Sequence, residues 1–190
     1  KGIMIGIWDD DCCICAESDE LVDEVIQQLK DQGFELSKDS DFQSFLGIKL
    51  EHGDNGQITM TQQGLIEKIL EETGMQDCNT NWTPAARTAL GIDPDGEPFD
   101  EEWSYASVTG KLLFLSTNSR PDIAFAVSQV ARFTHNPKKS HGTAIKTIIR
   151  YLKGTVHKGT IFTLTKDDLA LDLYVDADFS GRYGADPEDS

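Results

Sequence analysis

Adjacent carboxylates are the residues of this sequence best suited to chemistry. Asp9 and Asp10 lie between two short apolar runs, residues 3–7 and 12–16. That pattern predicts a β-hairpin closed by a tight acidic turn. Carboxylates raised on such a turn can ligate Mg²⁺, whose hard character and octahedral demand favour oxygen donors. In phosphoryl transfer two such ions clamp the attacking and leaving oxygens. Asp176-Ala177-Asp178 repeats the theme, because alternate residues of a strand share a face and can converge on one ion. Asp also favours turns for conformational reasons, so an acidic turn by itself more often marks solvated surface than a metal site.

Other chemistries find little support. Cys12, Cys13, Cys15 and Cys78 lack zinc-ligand spacing and lie away from His135 and His141 in sequence, which predicts reduced, mostly buried thiols. No phosphate-cradling glycine loop, nucleophile elbow or His-Glu metal helix occurs.

The elements that must position the carboxylates follow from apolar spacing. Ser18 or Asp19 caps a predicted helix with Leu21, Val22, Val25, Ile26 and Leu29 on one face, stopped by Gly33. Residues 42–50 read as one strand, paired through a Gly-rich turn with Ile58 and Met60. Thr61 then caps a helix carrying Leu65, Ile66, Ile69 and Leu70, ended by Gly74. Residues 76–104 are rich in Pro, Gly, Asn, Thr and Asp and read as a linker. Three helices follow, over 105–118, 121–134 and 141–153, with Pro121 at a first turn. Residues 160–164 and 169–175 alternate as strands.

The whole chain has 190 residues and a formal net charge of −16. Evenly spread, that charge would repel a phosphate backbone. It is not evenly spread. Residues 1–104 hold 24 acids and 6 bases, whereas residues 105–165 hold one acid and nine bases and carry a net charge of +8. Residues 166–190 return to a net charge of −6. Lys111, Arg120, Arg132, Lys146, Arg150 and Lys153 fall in the basic block and are the candidate phosphate contacts. Tyr105, Phe114, Phe133 and Tyr151 lie among them, with helix packing as their expected role. Neither a membrane span nor a signal peptide is expected.

The order of these pieces resembles the C-terminal part of a copia-type retrotransposon reverse transcriptase, running into the start of its RNase H domain. Ile7-Trp8-Asp9-Asp10 stands where that family has Tyr-Val-Asp-Asp, and Phe45-Leu46-Gly47-Ile48 is similar to its Phe-Leu-Gly-Ile strand. Thr83-Pro84 matches its Thr-Pro linker. More specific are Ser119-Arg120-Pro121-Asp122-Ile123-Ala124-Phe125-Ala126-Val127, His135-Asn136-Pro137, His141 and Arg150-Tyr151-Leu152-Lys153-Gly154-Thr155. Tyr174-Val175-Asp176-Ala177-Asp178-Phe179-Ser180-Gly181 resembles the family's Tyr-Ser-Asp-Ala-Asp-Trp-Ala-Gly.

The resemblance implies an α+β fold: a partial palm over 1–75, a linker over 76–104, a helical thumb and connection over 105–157, and the opening strands of an RNase H-like domain over 158–190. It implies that Asp9 and Asp10 are two of three palm carboxylates, and that Asp176, with Asp178, belongs to the RNase H metal site. Mg²⁺ or Mn²⁺ would be the cofactor. Phe45, Leu46 and Gly47 would help hold the primer end. The implied partners are an RNA template, a DNA primer or RNA–DNA hybrid, deoxynucleotides, and the rest of a polyprotein with its integrase and capsid regions. The implied location is intracellular, in cytoplasmic particles or the nucleus, with no membrane partner.

Trp8 departs from the small residue expected before the Asp pair, and Asp11 from an apolar one. These departures, and the absence of further family carboxylates, predict a fragment without polymerase or RNase H activity of its own. Two alternatives are a non-catalytic nucleic-acid-binding remnant and an acidic protein-interaction domain.

Overall fold

The computed structural model describes residues 2–9, 11–38, 44–53, 56–85 and 90–163. It is a mixed α and β structure with small antiparallel sheets, in two compact units, Lys1–Phe45 and Leu46–Ser190.

In the first unit β1 (Ile3–Trp8) and β2 (Asp11–Ala16) form the expected hairpin, in register from Ile3↔Ala16 to Trp8↔Asp11. Helix α1 (Asp19–Asp31) starts after Ser18, which is extended, and places Asp19 and Glu20 in its first turn, where they complement the helix dipole. Its end is fixed by Gly33 at φ 93°, whose amide bonds to Lys30 O while Phe34 N–H reaches Leu29 O at 3.2 Å. This pair of bonds is a Schellman motif, and the left-handed residue it needs is why glycine stands there. Leu21, Val22, Val25, Ile26 and Leu29 are half-buried, and no described residue of β1, β2 or α1 is fully buried. A short strand, β3 (Ser44–Phe45), ends the unit.

The single strand expected over residues 42–50 is interrupted. Leu46 and Gly47 both have positive φ, 53° and 75°, so the chain turns before β4 (Ile48–His52) begins. Glycine adopts this conformation freely, whereas Leu46 carries a Cβ penalty there.

In the second unit β4 pairs with β5 (Ile58–Thr61) as expected, from His52↔Ile58 to Lys49↔Thr61. Strand β6 (Thr160–Phe162) pairs antiparallel with β5. Gly159 permits this approach, since a Cβ there would clash with the Met60 carbonyl oxygen. Helix α2 (Gln63–Glu72) begins one residue later than a Thr61 cap would give, because Thr61 stays in the strand and Gln62 occupies the N-cap. Gly74 at φ 63° ends α2 in a second Schellman motif, with Met75 N–H on Leu70 O at 2.8 Å.

The core is helical. It joins Ile66, Ile69 and Leu70 of α2 to Val108, Leu112 and Leu115 of α3 (Tyr105–Asn118). Ile123 closes a 3-10 turn (Pro121–Ile123) that leads into α4 (Ala124–Ala131), which adds Val127 and Val130. Helix α5 (Lys139–Gly154) contributes Ile145, Ile148, Ile149 and Leu152. Each fully buried aliphatic side chain contributes roughly 1.5–3 kcal/mol of transfer free energy. The second helix of this set is shorter than residues 121–134, and the third starts two residues before 141.

The stretch 76–104 is bonded along the helices. Asn81 N–H donates to Arg150 O (3.2 Å), Phe99 N–H to Pro137 O (3.0 Å), and Lys139 N–H to Glu97 O (2.9 Å). The Phe99 ring packs edge-on to Trp103 and Tyr105, at 4.8 and 5.3 Å between centroids. Gly142 makes room for it, since a Cβ there would meet the ring at 2.7 Å. Apolar anchors set among the Pro, Asn and Asp of this stretch hold it to α5.

Candidate catalytic hairpin and basic helices

Trp8 and Asp11 face each other at the end of the hairpin ladder, so the turn between them has two residues. Asp9 takes the first position with φ 52°, the left-handed region that tight hairpin turns require and that Asp tolerates better than bulkier residues. Its carboxylate is exposed. Asp11 is accommodated in the ladder as the partner of Trp8, which is 66% exposed. Asp10, Asp176 and Asp178 lie outside the described residues. Asp9 supplies the hard oxygen donor that a Mg²⁺ or Mn²⁺ ion prefers. No set of three or more metal-capable side chains is assembled among the described residues.

Phe45, Leu46 and Gly47 sit at the turn between β3 and β4, with Phe45 half-buried and Leu46 36% exposed. Their placement follows from the two left-handed residues, a feature that the strand-like pattern of the sequence conceals.

Most of the candidate phosphate-binding bases have protein partners. Arg120 is 1% exposed. Its Nε and Nη2 donate to the two Asp122 oxygens at 3.0 and 2.8 Å, and Nη1 and Nη2 to Thr155 O and Oγ1 at 3.0 and 2.7 Å. A guanidinium so enclosed has no face for a phosphate, and the reading of Arg120 as a nucleic-acid contact is corrected to a core clamp between the 3-10 turn at Asp122 and the end of α5. Burial alone would raise the Asp122 carboxyl. The hydrogen bonds from Arg120 and from Tyr151 (2.7 Å), with the guanidinium charge, outweigh burial and hold it below its usual value.

Lys111 pairs with Glu72 of α2 and Lys146 with Glu101 at 2.6 Å. Lys139, elsewhere in the basic block, pairs with Glu97. Lys153 Nζ donates to Cys78 O at 2.6 Å. Arg132 lies over the Phe133 ring at 5.5 Å, and Arg150 is exposed on α5. The +8 block is thus partly neutralised by acids of residues 72–101, a compensation that segment charges cannot show.

Two residues gain roles that the sequence reading did not give them. His141 is fully buried, accepts Lys138 N–H through Nδ1 at 3.0 Å, and meets Gly91 O through Nε2 at 2.9 Å. This places the ring proton on Nε2 and ties α5 to the preceding stretch. Its position three residues after Lys138, at the start of a helix, was the available signal. Trp82 is 95% exposed, on a stretch that composition had marked only as a linker. The cysteines depart from the expected burial, since Cys12 and Cys15 are exposed and Cys13 and Cys78 intermediate. Among the described residues no helix is long and apolar enough to cross a membrane.

Comparison with known proteins gives a consistent result. Residues 1–87 match the family model described as reverse transcriptase (RNA-dependent DNA polymerase). The chain is 30% identical over 179 residues to the retrovirus-related Pol polyprotein from transposon RE1 of Arabidopsis thaliana, covering 94% of this chain and 12% of that protein. It is 30% identical over 186 residues to the corresponding polyprotein from transposon TNT 1-94 of Nicotiana tabacum, covering 94% and 14%. It is 28% identical over 175 residues to a transposon Ty5-1 protein of Saccharomyces cerevisiae, covering 92% and 56%. The chain therefore spans about half of one relative and about an eighth of the polyproteins. No solved structure matches the chain.

Proposed function

We infer, from the match of residues 1–87 to the reverse transcriptase (RNA-dependent DNA polymerase) family model and the similarity of most of the chain to transposon Pol polyproteins, that this chain is part of a copia-type reverse transcriptase with a part in RNA-directed DNA synthesis. The observation that carries the reading is the β1–β2 hairpin, whose two-residue turn presents Asp9 exposed in a left-handed conformation. Asp9 and Asp10 would hold Mg²⁺ or Mn²⁺, and Asp176 with Asp178 a second metal centre for RNase H cleavage. Bound there, a divalent cation supplies charge neutralisation for phosphoryl transfer. The chain's own contribution is positioning: cross-strand pairing up to Trp8↔Asp11 anchors both ends of the turn.

In this reading residues 1–75 are palm, with Phe45, Leu46 and Gly47 near the primer end. Helices α3 to α5 act as thumb and connection on an RNA–DNA hybrid, within an intracellular polyprotein. The 190 residues alone are proposed to be inactive, because the hairpin supplies two carboxylates where the family uses three. Mg²⁺-dependent primer extension by the purified chain would overturn this.

Trp8 and Asp11 beside the Asp pair favour keeping a second reading, a nucleic-acid-binding remnant that has lost catalysis. Titration of a fluorescent RNA–DNA hybrid tests the nucleic-acid role common to both. Binding is expected at 50 mM salt, weakening with a log–log slope of roughly −2 to −4, because so few bases are left for phosphates, rather than the approximately −8 of nine contacts. Absence of binding at low salt would leave the acidic protein-interaction alternative.

A further inference from the structure

We propose that Trp82, beside Arg150, is a base-stacking platform for single-stranded nucleic acid on the second unit. The proposal rests on the nucleic-acid reading above and adds a residue that reading does not contain. Trp82 is 95% exposed, the most exposed large apolar side chain among the described residues. A solvent-facing indole on a loose loop would mean little, but the backbone that carries this one is held. Trp82 N–H donates to Asn81 Oδ1 at 3.1 Å, and Asn81 Nδ2 donates to Thr83 O at 3.1 Å. Asn81 N–H donates to the carbonyl of Arg150 at 3.2 Å, which fixes the loop on the last turns of α5. Gly154 completes the seat, since a Cβ there would lie 3.1 Å from Thr80 Cβ.

The surroundings favour an anionic, flat ligand. Arg150 is exposed, and its side chain has no partner among the described residues, unlike Lys146 and Lys139 on the same helix, which pair with carboxylates. Lys153 lies one turn further, its ammonium on Cys78 O. An ammonium has three donors, so two remain for a phosphate oxygen. An exposed indole on a hydrogen-bonded loop, with the exposed Arg150 on the helical turn to which that loop is tied, offers a stacking surface and a cation that can take a base and its backbone phosphate with little dependence on sequence. A duplex, whose bases are already stacked, offers the indole no such face.

The test is fluorescence anisotropy of the 190-residue chain with labelled single-stranded oligo-dT and with a blunt duplex, at several salt concentrations. Trp82→Ala is expected to weaken oligo-dT binding roughly 5- to 150-fold at an unchanged salt slope, with duplex binding little altered. Trp82→Phe should recover most of the loss, and Arg150→Ala should make the slope shallower by about 0.7. The side chain is on the surface, so an unchanged melting temperature is expected to accompany these effects. If the parent binds oligo-dT and Trp82→Ala binds it equally well, the platform is wrong while the nucleic-acid reading stands. If the parent binds neither oligonucleotide, both fall. If Trp82→Ala instead turns a sedimenting oligomer into a monomer with nucleic-acid affinity intact, the indole is a protein contact and the proposal is overturned.

Discussion

The hairpin unit and the helical unit are made of similar amphipathic segments, yet they bury them very differently. Helix α1 carries five apolar residues at helical spacing, as regular a stripe as that of α5, and none is fully buried. In α5 the corresponding stripe, with Ile145, Ile148, Ile149 and Leu152, is at 1% exposure or less. The difference is the number of faces brought together. Two strands and one helix offer α1 a single partner surface, whereas α5 meets α2, α4 and the docked stretch 76–104. Patterning sets which face of an element is apolar, and only the count of neighbours sets how dry that face becomes. In the proposed role, the unit with the drier core supports nucleic acid and the more open one carries the palm carboxylates Asp9 and Asp10.

The contrast can be broken most forcefully at Leu112, which is 0% exposed. Leu112→Ala is expected to cost the second unit about 3 kcal/mol in denaturant unfolding, from lost transfer energy and a residual cavity. A loss under about 1 kcal/mol would mean that the helical core is looser than its burial indicates. Next is Gly142→Ala, whose methyl would meet the Phe99 ring at 2.7 Å. It is expected to cost about 2 kcal/mol and to speed hydrogen exchange at the Phe99 amide, now bonded to Pro137 O. Unchanged exchange there would show that the stretch 76–104 is held by other contacts.

Acid sharpens the same comparison. The Asp122 carboxyl is held below its ordinary value when folded, so its stabilising contribution is complete above about pH 4 and is lost as pH falls through the folded value. The second unit should therefore weaken in acid, and Asp122→Asn should flatten that part of its stability profile. An unchanged profile would show that the Arg120 clamp does not depend on the carboxylate charge. The smallest effect is expected at Ile7, which is 75% exposed. Ile7→Ala should change stability by less than about 0.5 kcal/mol, and a larger loss would reveal a partner surface for the hairpin.

Much of this was legible in the sequence because local rules act there. The hairpin followed from two apolar runs around Asp9 and Asp10, and the helix ends at Gly33 and Gly74 followed from the left-handed residue each cap needs. The stripes of α3 and α5 were likewise plain. What failed to show depends on partners distant in sequence. Arg120 looks like any other base until Asp122 and Thr155 enclose it. Glu97 and Glu101 look like linker acids until they meet Lys139 and Lys146. Leu46 gives no hint of its positive φ, since only the following Gly47 signals a turn. The strand at Thr160–Phe162 could be recognised from its alternation, but not its pairing with β5.

The metal-binding role proposed for the hairpin is open to one direct test. Manganese is titrated into the isotopically labelled chain while amide resonances are followed by NMR. Residues 8–12 should broaden first, at Mn²⁺ concentrations that leave the α5 resonances sharp, and Asp9→Asn combined with Asp10→Asn should abolish the effect. Broadening that never reaches the hairpin, or that persists in the double variant, would contradict a carboxylate metal site at the β1–β2 turn.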